Sequence, residues 1–429
     1  MLKCLANFSK VEEFKGFFRR ATKMLTPNQA LAKILETVRR RDPEERPLEK
    51  AVFLAAAQDI VAPESYPFFS SSAMDGYAVR VADLKGASPE QPVSLPLAGE
   101  LKAGSCEKVF LPQGKTMSIM TGGALPEGAD SVVKREDVKE EKDSVTFFAV
   151  PQERSFINLA GGEIEKGKVL IEKGKALNPS SLGLLAAFGI NRVAVFPPPS
   201  VSLITTGDEL IDPGIERKYG QVYDSVTPML RAALNKAGVE KVSCLRARDN
   251  PEELYDNLCR ALEDSSLMIT VGGVSVGKYD YMGQVMEKAG IEKIFWKVAQ
   301  RPGKPLLFGR KEEKLFFGLP GNPASALVSF LLYVLPAVRK IMGCKEPGPL
   351  WRIGYLAGPL ENKEPRTFFM RGRAEDDGRG GFFLEDAGEQ DSYMLYSFAG
   401  SNVLVEIPPG PVKLEAGDKA RFLTHFWEV

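Results

Sequence analysis

The segment "GGVSVGKYDY" (272–281) places glycines, a hydroxyl group, a cation and a carboxylate directly after the apolar run "LMITV". Its polar side chains include Ser275, Lys278 and Asp280. The spacing differs from the Gly-Lys-Ser/Thr of a P-loop and from the Gly-x-Gly-x-x-Gly of a dinucleotide site. We call this segment the glycine loop. Its ligand must therefore be inferred from the segments that lie near it in the fold.

Four further polar segments also follow predicted strands. They are "TTGDE" (205–209), Arg248 with Asp249, the run from Lys297 to "RPGKP" (301–305), and "PGNP" (320–323), which opens a predicted helix. In an open α/β sheet the ligand lies outside the carboxyl ends of the strands. We therefore expect the five segments to meet at one edge of one sheet.

Each segment alone also has an ordinary structural interpretation, because paired glycines turn a chain and an acidic residue after a strand often caps a helix. The combination indicates more. Three cations belong to these segments: Lys297, Arg301 and Lys304. Three carboxylates belong to them as well: Glu209, Asp249 and Asp280. Backbone N–H groups at helix starts bind anions, and this mixture of charges suits Mg²⁺ on a phosphate chain. The glycine loop is therefore predicted to bind a phosphorylated ligand.

No nucleophile with a partner base is evident in these segments. They contain no cysteine, and the single histidine, His425, lies near the end of the chain, so Ser275 and Ser325 have no imidazole base. One histidine also argues against a zinc site or a Ser-His-Asp triad. Catalysis would then depend on electrostatic positioning and a metal ion.

Composition argues against nucleic acid or a membrane as a partner. The 429 residues include 56 Lys and Arg and 56 Asp and Glu, which leaves no net field for phosphate backbones. The five cysteines are scattered, which suits a reducing cytoplasm. The apolar stretch "ALVSFLLYVLPAV" from Ala326 is too short for a membrane span and contains Pro336, so a buried helix is predicted there.

The pattern along the chain predicts the secondary structure. Apolar spacing predicts a helix from Thr26 to about Arg41, and "AVFLAAAQDI" from Ala51 predicts a short strand. A helix is also predicted from Pro179. Three prolines after "NRVAVF" mark a boundary near residue 198. From 200 to 344 strands and helices alternate, and short strands return after that point.

The predicted fold class is α/β plus β in a multidomain chain. The predicted regions are an N-terminal extension (1–23) that is an appended helix or precedes the true start, a discontinuous linking domain (24–63 and 151–197), a β-rich insertion (64–150), a doubly wound, mainly parallel α/β domain (198–345) and a small C-terminal β-barrel-like domain (346–429).

Six motifs resemble those of one known family, the molybdopterin molybdenumtransferases, which include MoeA and the gephyrin E domain. They are "SAMDGYAVR" (72–80), "MTGGALPEGADSVV" (120–133), "TTGDEL" (205–210), "GGVSVGKYDY" (272–281), "RPGKP" (301–305) and "GLPGNPASA" (318–326). The motifs follow the family's order, and the resemblance runs from about Met24 to the C-terminus. It implies an elongated four-domain subunit in which residues 198–345 bind molybdopterin and the linking domain supports dimerisation.

The resemblance also implies an activity and partners. It implies a cytoplasmic, Mg²⁺-dependent transferase that inserts molybdate into adenylylated molybdopterin and releases AMP, the last step of molybdenum cofactor biosynthesis. It further implies a homodimer in which the "SAMDGYAVR" loop of one subunit faces the glycine loop of the other. The upstream adenylyltransferase is a further candidate partner.

Matched position by position, the family's functional residues fall on named positions of this chain. Catalytic roles fall on Thr121, Glu209, Asp249, Asp280, Lys297 and Arg301, with Glu209 and Asp280 as metal ligands. The resemblance, together with the loops, implies substrate contacts from Ser72, Asp75, Thr206, Gly207, Gly272, Gly273, Ser275, Gly277, Gly303, Lys304, Pro320, Gly321, Asn322, Arg371 and Ser392.

Three positions depart from the family's pattern. Ser70 and Glu163 stand where the family tends to have aspartate, and Arg301 stands where lysine is common. Two other functions remain open: a molybdopterin adenylyltransferase, which would turn over ATP, and a non-catalytic molybdopterin-binding scaffold. The motifs do not separate molybdate from tungstate, because both are tetrahedral dianions of nearly equal size.

Overall fold

The computed structural model describes residues 24–105, 107–273 and 281–427. Contacts divide the chain into two compact units. The smaller unit comprises Gln58–Glu172 and Pro179–Asn191. The larger unit comprises the chain up to Ala57, the segment Lys173–Asn178 and the chain from Arg192 onward.

The first helix among the described residues of the larger unit is α1 (Pro27–Thr37). A capping box starts it: Thr26 Oγ1 accepts from the Gln29 N–H at 3.3 Å, and Gln29 Oε1 accepts from the Thr26 N–H at 3.0 Å. The predicted start is thus confirmed. The predicted end near Arg41 is wrong, because Val38 is already extended, with ψ 125°. Thr37 and Val38 are β-branched and form helix poorly.

The next segment also differs from the prediction. Strand β1 (Glu44–Pro47) forms where none was predicted, and a 3₁₀ turn follows it at Leu48–Lys50. The strand predicted over "AVFLAAAQDI" is wrong for most of its length: Ala55 and Ala56 make only isolated bridges, and only the last residue, Ile60, belongs to a strand. The two alanines pair with different partners, Ala176 and Val195, so no continuous strand pairing forms.

The smaller unit is rich in short strands, as predicted for its sequence. Its elements are β2 (Ile60–Val61), β3 (Ser71–Ser72), β4 (Gly76–Val79), β5 (Val93–Leu101), β6 (Thr116–Ile119), β7 (Ser131–Lys134), β8 (Val138–Glu140), β9 (Ser144–Phe147), β10 (Ile157–Asn158), β11 (Val169–Ile171) and helix α2 (Pro179–Ala187), with 3₁₀ turns at Val81–Leu84 and Arg135–Asp137. Six strands form a sheet in the order β7-β4-β6-β5-β9-β8. Gly76 is needed in β4, because a Cβ there would lie 2.1 Å from Val133 O.

The larger unit contains the predicted α/β domain. Strand β12 (Arg192–Val195), which pairs with β1, precedes this domain. The elements of the domain are β13 (Ser200–Thr206), β14 (Leu210–Ile211), β15 (Val222–Tyr223), α3 (Val226–Lys236), β16 (Lys241–Ala247), α4 (Pro251–Asp264), β17 (Leu267–Val271), α5 (Met282–Lys288), β18 (Glu292–Trp296), β19 (Gln300–Arg301), β20 (Leu307–Lys311), β21 (Lys314–Leu319), α6 (Pro323–Ser329), a π-helical turn (Phe330–Val334) and α7 (Leu335–Ile341). The sheet order is β16-β13-β17-β21-β20-β18.

This sheet is mainly parallel, as predicted. Strands β16, β13, β17 and β21 run parallel, and β20 is antiparallel to both of its neighbours. Every residue of β17 is buried, which matches its continuous apolar sequence. The carboxyl ends of β13, β17 and β21 therefore meet at one edge.

One described helix, Pro323–Ile341, is long and apolar enough to cross a membrane, but 89% of its apolar window is buried inside the protein. The prediction of a buried helix is confirmed. Helix α1 packs against its α7 part, where Lys340 Nζ donates to Leu35 O.

The C-terminal part of the larger unit is a small barrel. Its elements are β22 (Trp351–Leu356), β23 (Leu360–Asn362), β24 (Thr367–Asp376), β25 (Phe382–Asp386), α8 (Tyr396–Ala399), β26 (Val403–Ile407), β27 (Val412–Leu414) and β28 (Lys419–Thr424). Strands β24, β25, β22, β28 and β26 follow one another, and pairing of β26 with β24 closes the ring. Strand β19 pairs with β24, so the start of "RPGKP" is hydrogen-bonded to this barrel.

Candidate active site

An open cavity of about 650 Å³ lies at the carboxyl ends of β13, β17 and β21. Its walls are formed by Thr205, Thr206, Glu209, Leu210, Val222, Tyr223, Asp224, Ser225, Val226, Val271, Gly272, Gly273, Pro305, Pro320, Gly321, Asn322, Pro323, Tyr393 and Leu395. Of the five predicted segments, "TTGDE", the start of the glycine loop, "RPGKP" and "PGNP" meet here. The predicted edge of the sheet is thus the edge that holds the cavity.

The start of the glycine loop is packed tightly against β13. Gly272 has φ +92°, and a Cβ there would lie 2.5 Å from Thr206 Oγ1. Gly321 approaches from the other side, since a Cβ on it would contact Gly272 Cα at 3.7 Å. Only glycine fits at position 272, and its backbone can come close to a ligand in the cavity.

The Glu209 carboxylate folds back over Gly207. Gly207 has φ +147°, and a Cβ there would meet Glu209 Oε2 at 2.7 Å. The glycine therefore leaves room for the carboxylate in the cavity wall.

Asp249 lies at the end of β16 beside a second carboxylate. Its N–H donates to Asp208 Oδ1 at 3.3 Å. Burial, and then the charge of Asp208, raise the pKa of Asp249 above its usual value. Asp249 is not among the described residues that line the cavity. A cation near this pair would relieve the repulsion between the two carboxylates.

The predicted basic residues are held in distinct ways. Lys297 has φ +74°, and its Nζ lies 3.7 Å from the centroid of the Trp296 ring. Arg301 donates to Glu364 Oε1 at 3.2 Å and lies 4.2 Å from the Phe368 ring centroid. Lys304 is exposed. Arg301 therefore connects the loop to the barrel through an ion pair and an aromatic contact.

Arg371 and Ser392 come from the barrel. Arg371 is fully buried: its Nε donates to Ser397 Oγ at 2.6 Å, and its Nη2 donates to the carbonyls of Glu389 and Asp391. Its Nη1 has no hydrogen-bond partner in the described chain. Burial lowers the pKa of Arg371 to about 10, so the side chain is still a cation at neutral pH.

Ser392 is joined to the cavity wall. Its Oγ accepts a hydrogen bond from Asn322 Nδ2 at 2.9 Å, and the neighbouring Tyr393 and Leu395 line the cavity. This bond links "PGNP" to the barrel loop that follows the Arg371 partners.

Three predicted site residues belong to the smaller unit. Asp75 Oδ1 accepts from both the N–H and the Oγ1 of Thr121, each at 2.7 Å. These two bonds lower the pKa of Asp75. Ser72 is buried, and its Oγ donates to Met74 O. Thr121 thus positions Asp75 at the surface of this unit.

The predicted residues Ser275, Gly277 and Asp280 lie outside the described residues, as does Lys278. The single histidine serves no base here, as expected: His425 is fully buried between Phe398 and Trp427, and burial lowers its pKa to about 4.

Comparison with known proteins gives one family over almost the whole chain. Residues 25–189 match "MoeA N-terminal region (domain I and II)", residues 202–340 match "Probable molybdopterin binding domain", and residues 354–424 match "MoeA C-terminal region (domain IV)". The molybdopterin molybdenumtransferase of Haemophilus influenzae is 36% identical over 398 residues, which cover 92% of this chain and 97% of that protein. The chain belongs to the molybdopterin molybdenumtransferase family.

Other relatives agree with this assignment. Molybdopterin molybdenumtransferase 2 of Mycobacterium tuberculosis is 36% identical over 391 residues, or 90% of this chain and 95% of that protein. The crystal structure of the molybdopterin biosynthesis MoeA protein of Pyrococcus horikoshii aligns with a TM-score of 0.79 and 31% identity, covering 94% of this chain and 99% of that one. The protein is thus a transferase of molybdenum cofactor biosynthesis, as the sequence motifs predicted.

Three residues of this transferase's cavity wall, Asp224, Tyr393 and Leu395, are not among the residues predicted from the sequence. Asp224 is buried, and its Oδ1 accepts from the N–H groups of Val226 and Thr227 at the start of α3. The order Asp-Ser-Val-Thr before a helical pattern is a cap signal that could have located it. Tyr393 and Leu395 carry no such signal, because they reach the cavity only through the barrel.

The carboxylates of the molybdenumtransferase suit a magnesium ion only together with a ligand. No group of three or more His, Cys, Asp or Glu side chains that could hold a metal occurs among the residues that the structure describes. Mg²⁺ is commonly held by one or two carboxylates together with substrate phosphates and water. Glu209 in the cavity wall fits that mode.

Proposed function

We propose that the protein inserts molybdate into adenylylated molybdopterin in a Mg²⁺-dependent reaction that releases AMP. The observation that carries the proposal is the cavity at the carboxyl ends of the parallel strands. It combines the carboxylate of Glu209, the backbone of Gly272 and Gly273 and the start of the helix Pro323–Ile341. Such a wall suits the phosphates of a substrate and a cation that accompanies them.

In this proposal the glycine backbone and the helix start hold the phosphates. The close approach of Thr206 excludes a side chain at position 272, so the backbone of Gly272 lines the cavity directly. Gly321 lies next to it. Lys304 is exposed next to Pro305 of the cavity wall, and it would supply positive charge to the phosphates. Mg²⁺, when bound by Glu209 and Asp280, would neutralise charge on the phosphate oxygens.

The barrel side would hold an anionic group of the reactants. The support is Arg371, a buried guanidinium whose Nη1 lacks a partner within the described residues. A buried donor without a partner costs free energy, on the order of 1–3 kcal/mol for an uncharged group and more for a charged one. Because Nη1 is also shielded from solvent, a phosphate or a molybdate oxygen would reach it only after a local movement of the barrel.

The decisive assay uses purified protein, adenylylated molybdopterin, molybdate and Mg²⁺. AMP release should require both molybdate and Mg²⁺, and Glu209→Gln should lower the rate on the order of 10²-fold, as for loss of a key electrostatic group. Glu263→Gln, an exposed carboxylate on α4, is the matched control and should be neutral. Consumption of ATP with unmodified molybdopterin would instead identify an adenylyltransferase, and binding without AMP release would identify a scaffold.

We further propose a cytoplasmic homodimer in which the "SAMDGYAVR" loop of one subunit faces the glycine loop of its partner. The support is the resemblance, together with the Asp75 and Thr121 pair, which holds a carboxylate at the surface. Sedimentation at low micromolar concentration should give about twice 47.0 kDa. An active monomer would rule out the shared site.

A further inference from the structure

The apolar helix Pro323–Ile341 carries three polar side chains on residues four apart: Ser325, Ser329 and Tyr333. All three are buried, with at most 3% exposure. Residues four apart lie on one face of a helix. A polar row inside the most apolar helix of the chain calls for a partner, because buried polar groups are normally hydrogen-bonded.

One member of this row, Tyr333, finds its partner in the buried half of the "RPGKP" loop. Tyr333 Oη donates to Gln300 Oε1, and Gln300 Nε2 donates to Pro302 O at 3.0 Å. Gln300 is fully buried. The tyrosine hydroxyl thus fixes the glutamine amide, and the amide fixes the backbone of the loop.

Gly303 shows how closely the loop sits on the helix. Its φ is +88°, and a Cβ there would lie 2.7 Å from Ser329 Oγ and 2.8 Å from Gln300 Nε2. Pro302 and Gly303 are buried, whereas Lys304 is exposed and Pro305 lines the cavity. The buried residues Pro302 and Gly303 therefore fix the position of the residues that follow them at the cavity.

We propose that Tyr333, acting through Gln300, is a positioning residue that sets the "RPGKP" loop at the cavity so that Lys304 and Arg301 lie correctly for the reaction. The inference rests on the proposed function for its catalytic consequence. The same helix also begins at "PGNP", so one rigid element positions two loops of the cavity wall. A misplacement of about 1 Å in such a site can lower a rate about 10²-fold.

The test removes single groups and compares turnover with loop protection. Tyr333→Phe keeps the ring and removes the donor, and Gln300→Leu removes the amide. Each should lower kcat for AMP release about 10-fold to 100-fold with KM within about 2-fold, and the double variant should be no worse than either single one, because the two groups act as a unit. Amide exchange should accelerate in the peptide covering residues 299–306.

Two controls separate positioning from general destabilisation. Ile341→Val, at the far end of the same buried helix, trims the core and should leave kcat within about 2-fold. Ser329→Ala removes a hydroxyl that has no partner in the described chain, and it should be neutral as well.

Tyr333→Phe with unchanged exchange in residues 299–306, or with kcat within about 2-fold of wild type, would overturn the inference. An equal loss in Ile341→Val would overturn it too. If the wild-type protein itself releases no AMP, the proposed function fails, and the exchange comparison still decides whether Tyr333 positions the loop.

Discussion

Two carboxylates with predicted functional roles, Asp75 in the smaller unit and Asp249 in the larger one, have opposite electrostatic surroundings. Two donors from Thr121 stabilise the ionised form of Asp75 and lower its pKa. Burial and the charge of Asp208 disfavour the ionised form of Asp249 and raise its pKa. The protein alone thus stabilises the ionised form of Asp75, whereas it disfavours the ionised form of Asp249.

This difference indicates different roles for the two carboxylates: a fixed geometry for Asp75 and cation binding for Asp249. A carboxylate that already accepts two hydrogen bonds at 2.7 Å is fixed in place and gains little from a further cation. A carboxylate beside another carboxylate gains much, because the cation removes the repulsion. We therefore expect Asp249 to respond to metal and substrate, and Asp75 to act through its fixed geometry.

Asp249→Asn should give the largest effect. AMP release should fall on the order of 10²-fold, while the melting temperature should stay the same or rise, because the substitution removes a carboxylate whose ionised form is disfavoured. Activity assays and thermal melts of the variant measure both. Asp75→Asn, whose amide oxygen can still accept from Thr121, is the comparison; a greater loss there than in Asp249→Asn would break the contrast between the two residues.

Asp208→Asn should have a smaller effect. With the neighbouring charge removed, the pKa of Asp249 should fall toward its usual value but stay above it, because burial is the larger cause. Carboxyl NMR titration follows this shift directly. We expect AMP release to fall less than about 10-fold, since Asp249 itself remains. An unchanged Asp249 titration would show that the two side chains do not interact.

Thr121→Val tests the hydrogen bonds that lower the pKa of Asp75. It removes the Oγ1 donor and keeps the backbone N–H, which is the larger cause of the lowered pKa. The pKa of Asp75 should therefore rise only part of the way toward its usual value. Thr121→Ser restores the hydroxyl and should restore the titration. If the valine variant titrates like wild type, the hydroxyl bond is not formed in solution.

The pH dependence of stability should be the smallest effect, with opposite signs for the two residues. The lowered pKa of Asp75 stabilises the fold above the usual pKa near 3.8, and this contribution is lost as the pH falls through the folded value. The raised pKa of Asp249 destabilises the fold at neutral pH, and that cost disappears as the pH falls below its folded value. Any gain in melting temperature of Asp249→Asn should therefore shrink toward pH 4, whereas a gain that persists would contradict the raised pKa.

The sequence predicts the α/β domain well because its signals are local. Continuous apolar strands such as "LMITV" alternate with helical spacing, and the edge of the sheet follows from chain direction alone. The cavity contacts of Thr206, Glu209, Gly272 and Asn322 follow from that edge. A local pattern suffices wherever a residue sits directly at the end of its own strand.

Other features depend on distant partners and could not be predicted. The burial of Arg371 depends on a barrel closed by β24 and β26, and the cavity contact of Tyr393 depends on the position of that barrel. Strand β1 exists because β12 pairs with it across about 150 residues of chain. No local period carries such information.

The buried helix Pro323–Ile341 has a consequence for the newly made chain. Leaving the ribosome, this segment is apolar enough to resemble a membrane span, and its covering helix α1 was synthesised long before it, since the bond from Lys340 to Leu35 joins residues 305 apart. Closing so long a loop is entropically mild, because each doubling of length costs only about 0.6 kcal/mol more. We therefore expect a chain lacking residues 24–37 to aggregate or to be retained by chaperones during synthesis.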